Sequence, residues 1–409
     1  MTELLTAVPD LSDPRSFHPA PPHAALAELR ARDGLHHQDR EGAPGFWSVT
    51  RYRDLDAVFR DATGFSCESG MTLDSALGSR DPAAGLMVEI SDPPSHTRLR
   101  RLLSGGLNKS IARAMTEQLR DRITEHVARA VRAGECEIVS AVSAAVPAAA
   151  TGLLLGLPEG EWAKLADRAG RAISGSLPAD DPRAGDLTAR RAATATANGQ
   201  LLMHLAGLLD HAELAPDGLI RRLLDAEVDG DRLSREEVLV NCLNLAVAGN
   251  ETTKNAVTGG LVAFAEHPEQ WELLRRRPEL LDSAVEEVLR WVTPTQHFVR
   301  TVLQPRVVGG TALEPGELLC LWITSANRDE QVFTDPQEFR IDRSPNPHYT
   351  FTSGKHFCLG APLARLELRL VFAALLNRVA RIELLGPAER RATTLINCYV
   401  SQRVALHTV

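Results

Sequence analysis

A chain of 409 residues, 44% hydrophobic and 24% charged, has enough apolar sequence to bury a sizeable core, and its net charge of −8 argues against a nucleic-acid partner. No apolar run is long enough to cross a bilayer, and the first residues lack the basic-then-apolar pattern of a secretory leader, so no membrane association is expected. The six cysteines are scattered without a C-x-x-C pair, which speaks against a disulfide framework or a zinc site and fits a reducing cytoplasm. Without a linker or an internal repeat, residues 1–409 read as one domain with a small β-containing N-terminal lobe.

In chain order, "GFWSVTR" from Gly45 reads as a strand, and "SDPPSHTRLRRLLSGG" as a short helix closed by Gly105-Gly106. Ser234 and Glu237, in capping-box spacing, open a helix of about 30 residues, ~45 Å long, that stops at His267-Pro268. Pro278 to Trp291 forms a further helix, ended by Pro294, and Arg306 to Ile323 a hairpin. Pro362 lies in the first turn of a helix that follows Cys358, and strands are expected at Ala380–Gly386 and Gln402–Val409. The fold class is mainly α with small β-sheets.

"FTSGKHFCLG", residues 351–360, surrounds one thiol with little side-chain bulk. Cys358 sits just before a helix, so its sulfur can feel the positive end and accept backbone N–H bonds from residues such as Gly360. Gly354 and Gly360 remove Cβ atoms where a planar ligand would meet the chain. From the residues alone, a buried structural cysteine, a metal-ligating thiolate and a nucleophile all remain open, the last without a neighbouring His–acid pair.

The pattern Phe351-x-x-Gly354-x-His356-x-Cys358-x-Gly360 resembles the haem-binding loop of the cytochrome P-450 family. That resemblance implies that Cys358 is the axial thiolate of a haem b, a ligand that favours O–O cleavage. Thr352 departs from the pattern, standing where the family usually has glycine.

Other segments agree. "AGNETT", Ala248 to Thr253, places polar side chains in the middle of the long helix between two apolar runs, so they lie inside unless this is a solvated face. It resembles the family's oxygen-activation motif. By that likeness Ala248, Gly249, Glu251 and Thr252 are the catalytic residues: Gly249 leaves room for dioxygen, Thr252 donates a hydrogen bond and Glu251 relays protons. Glu287-x-x-Arg290 alone is an ordinary i,i+3 pair; with Arg343 it resembles the family's structural charge triad. His96 and Arg100 share a helix face, and with Arg300 and His356 they match the family's propionate-binding positions. The likeness runs from Asp92 to Leu368.

No flavin, nicotinamide or iron–sulfur fingerprint is present, so a ferredoxin and its reductase are the implied electron donors. Arg98, Arg101, Lys109, Arg113, Lys355 and Arg365 would steer such an acidic partner. Asn244 shares a helix face with Ala248 and Thr252, and Gln296, His297 and Phe298 follow the Glu287 helix, which makes all four candidate substrate-pocket residues. Segments 70–88, 172–186 and 394–400 are the expected lid and pocket floor. The implied activity is hydroxylation or epoxidation of a small functionalised molecule in natural-product metabolism, the substrate arriving free or bound to a carrier protein. Oxidative coupling on the same fold is an alternative. So is a non-catalytic haem-binding or docking relative, although that would need neither Glu251 nor Thr252.

Overall fold

The computed structural model describes residues 8–104, 109–174, 181, 183, 186–211 and 213–409. The expected stop at Gly105-Gly106, and most of segment 172–186, lie outside that set. Four helices position the site: α1 (Ser95–Ser104), α2 (Arg235–Glu266), α3 (Leu281–Val292) and α4 (Ala361–Leu376).

Helix α2 starts where the sequence places its cap. Ser234 Oγ accepts the Glu237 N–H at 3.1 Å, and Glu237 Oε2 accepts the Ser234 N–H at 2.7 Å. These two bonds satisfy donors that the helix would otherwise leave open. The helix then runs unbroken for 32 residues to the turn before Pro268. Its interior polar side chains bond back onto the helix: Asn241, Asn250 and Asn255 each donate to the carbonyl four residues earlier, at 2.7 Å. Two glycines then let neighbouring helices close in. A Cβ on Gly259 would lie 2.7 Å from Val292 Cγ1 on α3, and one on Gly260 would lie 2.7 Å from Phe372 Cζ on α4. Val257, Leu261 and Phe264 of α2 meet Val288 of α3 and Leu368, Val371 and Phe372 of α4 in the principal core, where each fully buried large side chain contributes roughly 1.5–3 kcal/mol.

A five-stranded sheet flanks the helices. Its strands are β1 (His36–Arg40), β2 (Ala43–Val49), β3 (Phe65–Ser66), β4 (His297–Val302) and β5 (Leu318–Trp322), in spatial order β1-β2-β5-β4-β3. The segment expected as one hairpin divides: Arg306–Val308 pairs with Thr311–Leu313 around Gly309 and Gly310, both left-handed, while β5 leaves to lie parallel to β2 with Phe46 opposite Leu318. A second Gly turn, at Gly316 (φ +92°), separates the two pieces. The expected C-terminal strands pair antiparallel, Val379–Leu384 with Arg403–Thr408. Among the described residues no single helix is long and apolar enough to cross a membrane.

One charge cluster ties α3 to the chain that leads into the cysteine loop. Glu287, fully buried, accepts 2.7 Å bonds from Arg290 Nε and Nη2 and a 3.1 Å bond from Arg343 Nε. It also accepts the Arg340 N–H at 2.9 Å and Asn346 Nδ2 at 3.1 Å. The remaining guanidinium donors reach the carbonyls of Asn327, Pro336 and Glu338 from Arg290, and of Asp335 and Glu338 from Arg343.

Candidate active site

Cys358 ends the loop between Phe351 and α4. Its N–H donates to the Phe351 carbonyl at 3.0 Å, which closes the loop on itself. Burial pushes the thiol up, while the N–H groups of Gly360 and Ala361, with Arg100 nearby, draw it down. A Cβ on Gly360 would sit 3.8 Å from Cys358 Sγ, so this glycine keeps space open beside the sulfur. Gly354 has a different task from the one expected. It takes φ +67°, and a Cβ there would meet the Phe59 carbonyl oxygen at 2.6 Å, so it serves a close approach between backbones and does not face a ligand. Thr352 is also left-handed, at φ +59°, with its hydroxyl donating to the His356 carbonyl at 2.9 Å. For a β-branched residue this is strain of about 1–2 kcal/mol.

The sulfur opens into a cavity of about 220 Å³ walled by α1, α2, β4, the loop and α4. His96, Arg100, Arg300 and His356 all line it. The two imidazoles lie 4.3 Å apart between ring centroids, and Arg300 stacks over Phe59. Both ring nitrogens of His96, which is 2% exposed, lack a partner among the described residues. Burial, and then neighbouring cations (Arg300 foremost for His356, Arg100 for His96), push His96 down to about 4 and His356 to about 2. Four basic groups face one corner with an orphaned imidazole among them, the arrangement an anionic group would complete.

Opposite the sulfur, Ala248, Gly249 and Thr252 of α2 line the same cavity. Thr252 Oγ1 donates to the Ala248 carbonyl at 2.6 Å, so in this rotamer its oxygen offers the cavity an acceptor, where the sequence suggested a donor. A Cβ on Gly249 would meet Thr151 Oγ1 at 3.2 Å. The absent side chain therefore also serves packing against the helix Ala145–Leu155. Glu251 points elsewhere: it is buried in an ion pair with Lys254 at 2.6 Å and does not line the cavity.

Above Thr252 lies a second cavity, of about 600 Å³, which shares Met71, Glu89, Asn244, Ala248, Thr252, Thr295 and Phe298 with the first. Parts of segments 70–88 and 394–400 wall it, as expected of a lid and floor. Asn244 and Phe298 reach it; Gln296 and His297 do not. Gln296 Nε2 donates to the Thr393 carbonyl at 3.0 Å, while His297 Nδ1 lies 2.9 Å from the Thr394 carbonyl and Nε2 accepts the Leu73 N–H at 3.1 Å. Strand alternation explains the split, because Phe298 and Arg300 occupy one face of β4 and His297 and Val299 the other.

Of the cavity residues that escaped the sequence reading, three bear on its chemistry. Glu367 follows Leu363 and Ala364 at helical spacing on α4, a periodicity that could have found it, and burial raises its carboxyl well above the usual range. Asn241 accepts the Val88 N–H at 3.0 Å and donates to the Leu86 carbonyl at 2.8 Å, pinning that loop to α2. Glu89, pushed by burial up to about 7 while Arg300 and the Asn244 amide pull it down, had no legible signal in its isolated acid.

The basic face is less basic than the sequence implied. Arg98 pairs with Asp231 and Glu237, Arg101 with Asp229, and Arg365 with Glu286. The Lys109 side chain lies outside the described residues. Long-range steering of an acidic partner is weaker than six uncompensated cations would give.

A sulfur at a helix start, a basic corner and a hydroxyl on α2 line one cavity, the combination expected of a haem-thiolate enzyme. A family model described as cytochrome P450 matches residues 208–380. The steroid C26-monooxygenase of Mycolicibacterium smegmatis is 33% identical over 92% of this chain and 88% of its own. Among solved structures, P450 OxyD, involved in the biosynthesis of vancomycin-type antibiotics, superposes with a TM-score of 0.83 at 30% identity over 98% of this chain and all of its own. P450BioI, in complex with an acyl carrier protein bearing hexadec-9Z-enoic acid, gives a TM-score of 0.81 at 27% identity over 95% of this chain and 98% of its own. The chain belongs to the cytochrome P450 family. It is a monooxygenase with the P450 fold, and its cofactor is haem b.

Proposed function

We propose that this monooxygenase hydroxylates or epoxidises a small functionalised organic molecule in secondary metabolism, in the cytoplasm, drawing electrons from a ferredoxin and its reductase. One observation carries the reading: Cys358 and Thr252 line a single cavity that shares seven residues with a chamber of about 600 Å³. The haem supplies oxygen activation when bound.

Every other role falls to side chains of the chain itself. Cys358 would hold the haem iron through its sulfur, and the nearby N–H groups of Gly360 and Ala361 favour the thiolate. Arg100 and Arg300 would neutralise the propionates, His96 and His356 would offer them neutral N–H donors, and an orphaned nitrogen of His96 would gain a partner there. Phe351 lines the cavity beside the sulfur. Thr252 holds a proton-bearing water over the reacting atoms, accepting its hydrogen bond while donating to Ala248. Glu251 relays protons only after leaving Lys254, a swing that gates delivery. Glu287, Arg290 and Arg343 brace the cysteine loop from behind.

Electron donors approach the face that carries Lys355 and Phe357, beside a recess of about 350 Å³ lined by Arg113, Arg365 and Arg369. The wide upper chamber admits a molecule presented on a carrier, the arrangement named for P450BioI. The decisive test is the ferrous carbonyl spectrum of the purified protein. A strongly red-shifted Soret band is expected; the unshifted band of a neutral axial donor, or a colourless preparation, refutes the reading.

A further inference from the structure

The Glu89 carboxylate sits where the haem cavity opens into the upper chamber, and it lines both. It belongs to the loop that Asn241 pins to α2 through Leu86 and Val88, so its backbone is held relative to Thr252. Asn244 of α2 lines the same two cavities, and its amide draws the Glu89 carboxyl down. A carboxylate offers about four lone-pair sites, so one amide leaves most of its acceptor capacity open. Apolar side chains surround it: Met71, Val247, Ala248 and Phe298.

Among the other charges that line the chamber, Asp81 and Arg191 make no ion pair among the described residues, while Asp74, Arg190 and Arg80 are compensated. Asp74 holds Arg190 at 2.8 Å, and Arg80 holds Glu68 at 3.0 Å. Arg300 also draws the Glu89 carboxyl down, but it lines the corner shared with His96 and His356, where the propionates would take its charge. Burial at this apolar constriction opposes the charged form of the carboxyl, which is raised to about 7, and a cation beside it would restore the carboxylate and pair with it. The group is best satisfied by a cationic donor.

We propose that Glu89 and Asn244 form a recognition site for a cationic nitrogen of the substrate, which fixes the oxidised carbon at a set distance from that nitrogen. The substrate class is then an organic ammonium with an apolar body. This rests on the monooxygenase reading and deepens it. Glu89 supplies charge, Asn244 holds the carboxylate in place, and the apolar walls take the rest of the molecule.

Calorimetric titration of the holoenzyme with dodecyltrimethylammonium, 1-dodecanol and dodecanoate tests the proposal. The quaternary nitrogen has no lone pair for iron, so its binding reports the pocket. The cation should bind at least about tenfold more tightly than the alcohol, and the carboxylate most weakly. Glu89→Gln should bring cation and alcohol to similar affinity while alcohol binding and haem content hold. Should Glu89→Gln lose haem, Asn244→Leu provides the second variant, with cation binding weakened about threefold or more and alcohol binding kept. Equal affinities in the wild type, a preference for dodecanoate, failure of all three probes to bind, or an unchanged cation affinity in the variant that retains haem overturns the proposal. The carbonyl spectrum of the same preparation judges the haem-thiolate reading separately: a shifted Soret band without cation preference refutes this inference alone.

Discussion

Replacing Glu287 by glutamine tests how the fold holds the cysteine loop. The carboxylate is fully buried and accepts three guanidinium bonds at 2.7, 2.7 and 3.1 Å, together with the Arg340 N–H at 2.9 Å. A glutamine keeps one acceptor oxygen but turns an NH2 group towards the arginines. Two guanidinium ions are then left in the core with only carbonyl partners. Removing one member of a buried ion pair costs about 3–5 kcal/mol, against a total stability of about 5–15 kcal/mol for a domain. Glu286, the preceding residue, is the control. It pairs with Arg365, whose side chain is 38% exposed, and with His348 at 3.1 Å. Because solvent reaches the Arg365 pair, its loss should be smaller than at Glu287, about 1–2 kcal/mol. Urea denaturation followed by far-UV dichroism gives the midpoints, and haem absorbance per protein gives loading. Glu287→Gln should shift the midpoint further than Glu286→Gln and should purify with less haem. Equal shifts, or a loss below about 1 kcal/mol at Glu287, would mean that the cluster does not brace the loop.

Thr352→Val keeps the β-branched strain but removes the bond to the His356 carbonyl, and should cost about 1 kcal/mol. Thr352→Gly loses the same bond but sheds the left-handed strain, so by thermal unfolding it should be more stable than the valine variant. Thr252→Ala should retain haem yet lower product formed per reductant consumed by about tenfold or more, with peroxide appearing; unchanged coupling refutes its role. Arg365, and then His348, lower Glu286 against the opposing effect of burial to about 2, from an ordinary 4.5. A depressed carboxylate contributes stability that is complete above the unfolded value and is lost as pH falls through the folded one. Acid destabilisation between about pH 5 and pH 2 should therefore be shallower in Glu286→Gln than in the wild type.

Much of this site could be read before any coordinates, because its chemistry is local in sequence. The Ser234–Glu237 capping box and the sulfur at the start of α4 each lie within one turn of chain, and both are formed as the residues suggested. Less legible were features set by contacts between distant segments. Whether Gly354 faces a ligand depends on Phe59, 295 positions earlier, and Glu251 faces Lys254 because the helix wheel turns it away from Thr252. Gln296 and His297 stand beside Phe298, but their side chains are taken up by residues 393, 394 and 73. Alternation along β4 would have separated His297 from Phe298, had the strand's inner face been known. The positive charges of the proximal face were visible individually. Their acidic partners at Asp229, Asp231 and Glu286 were not visible as partners.

The Asn241 latch has a corollary for engineering. Because one amide fixes the register of the 86–88 segment against the rod that carries Thr252, a redesign of the stretch upstream of Leu86 should keep Asn241 in place. Grafts that preserve this asparagine should hold Glu89 at the mouth of the haem cavity, where those that drop it lose alignment.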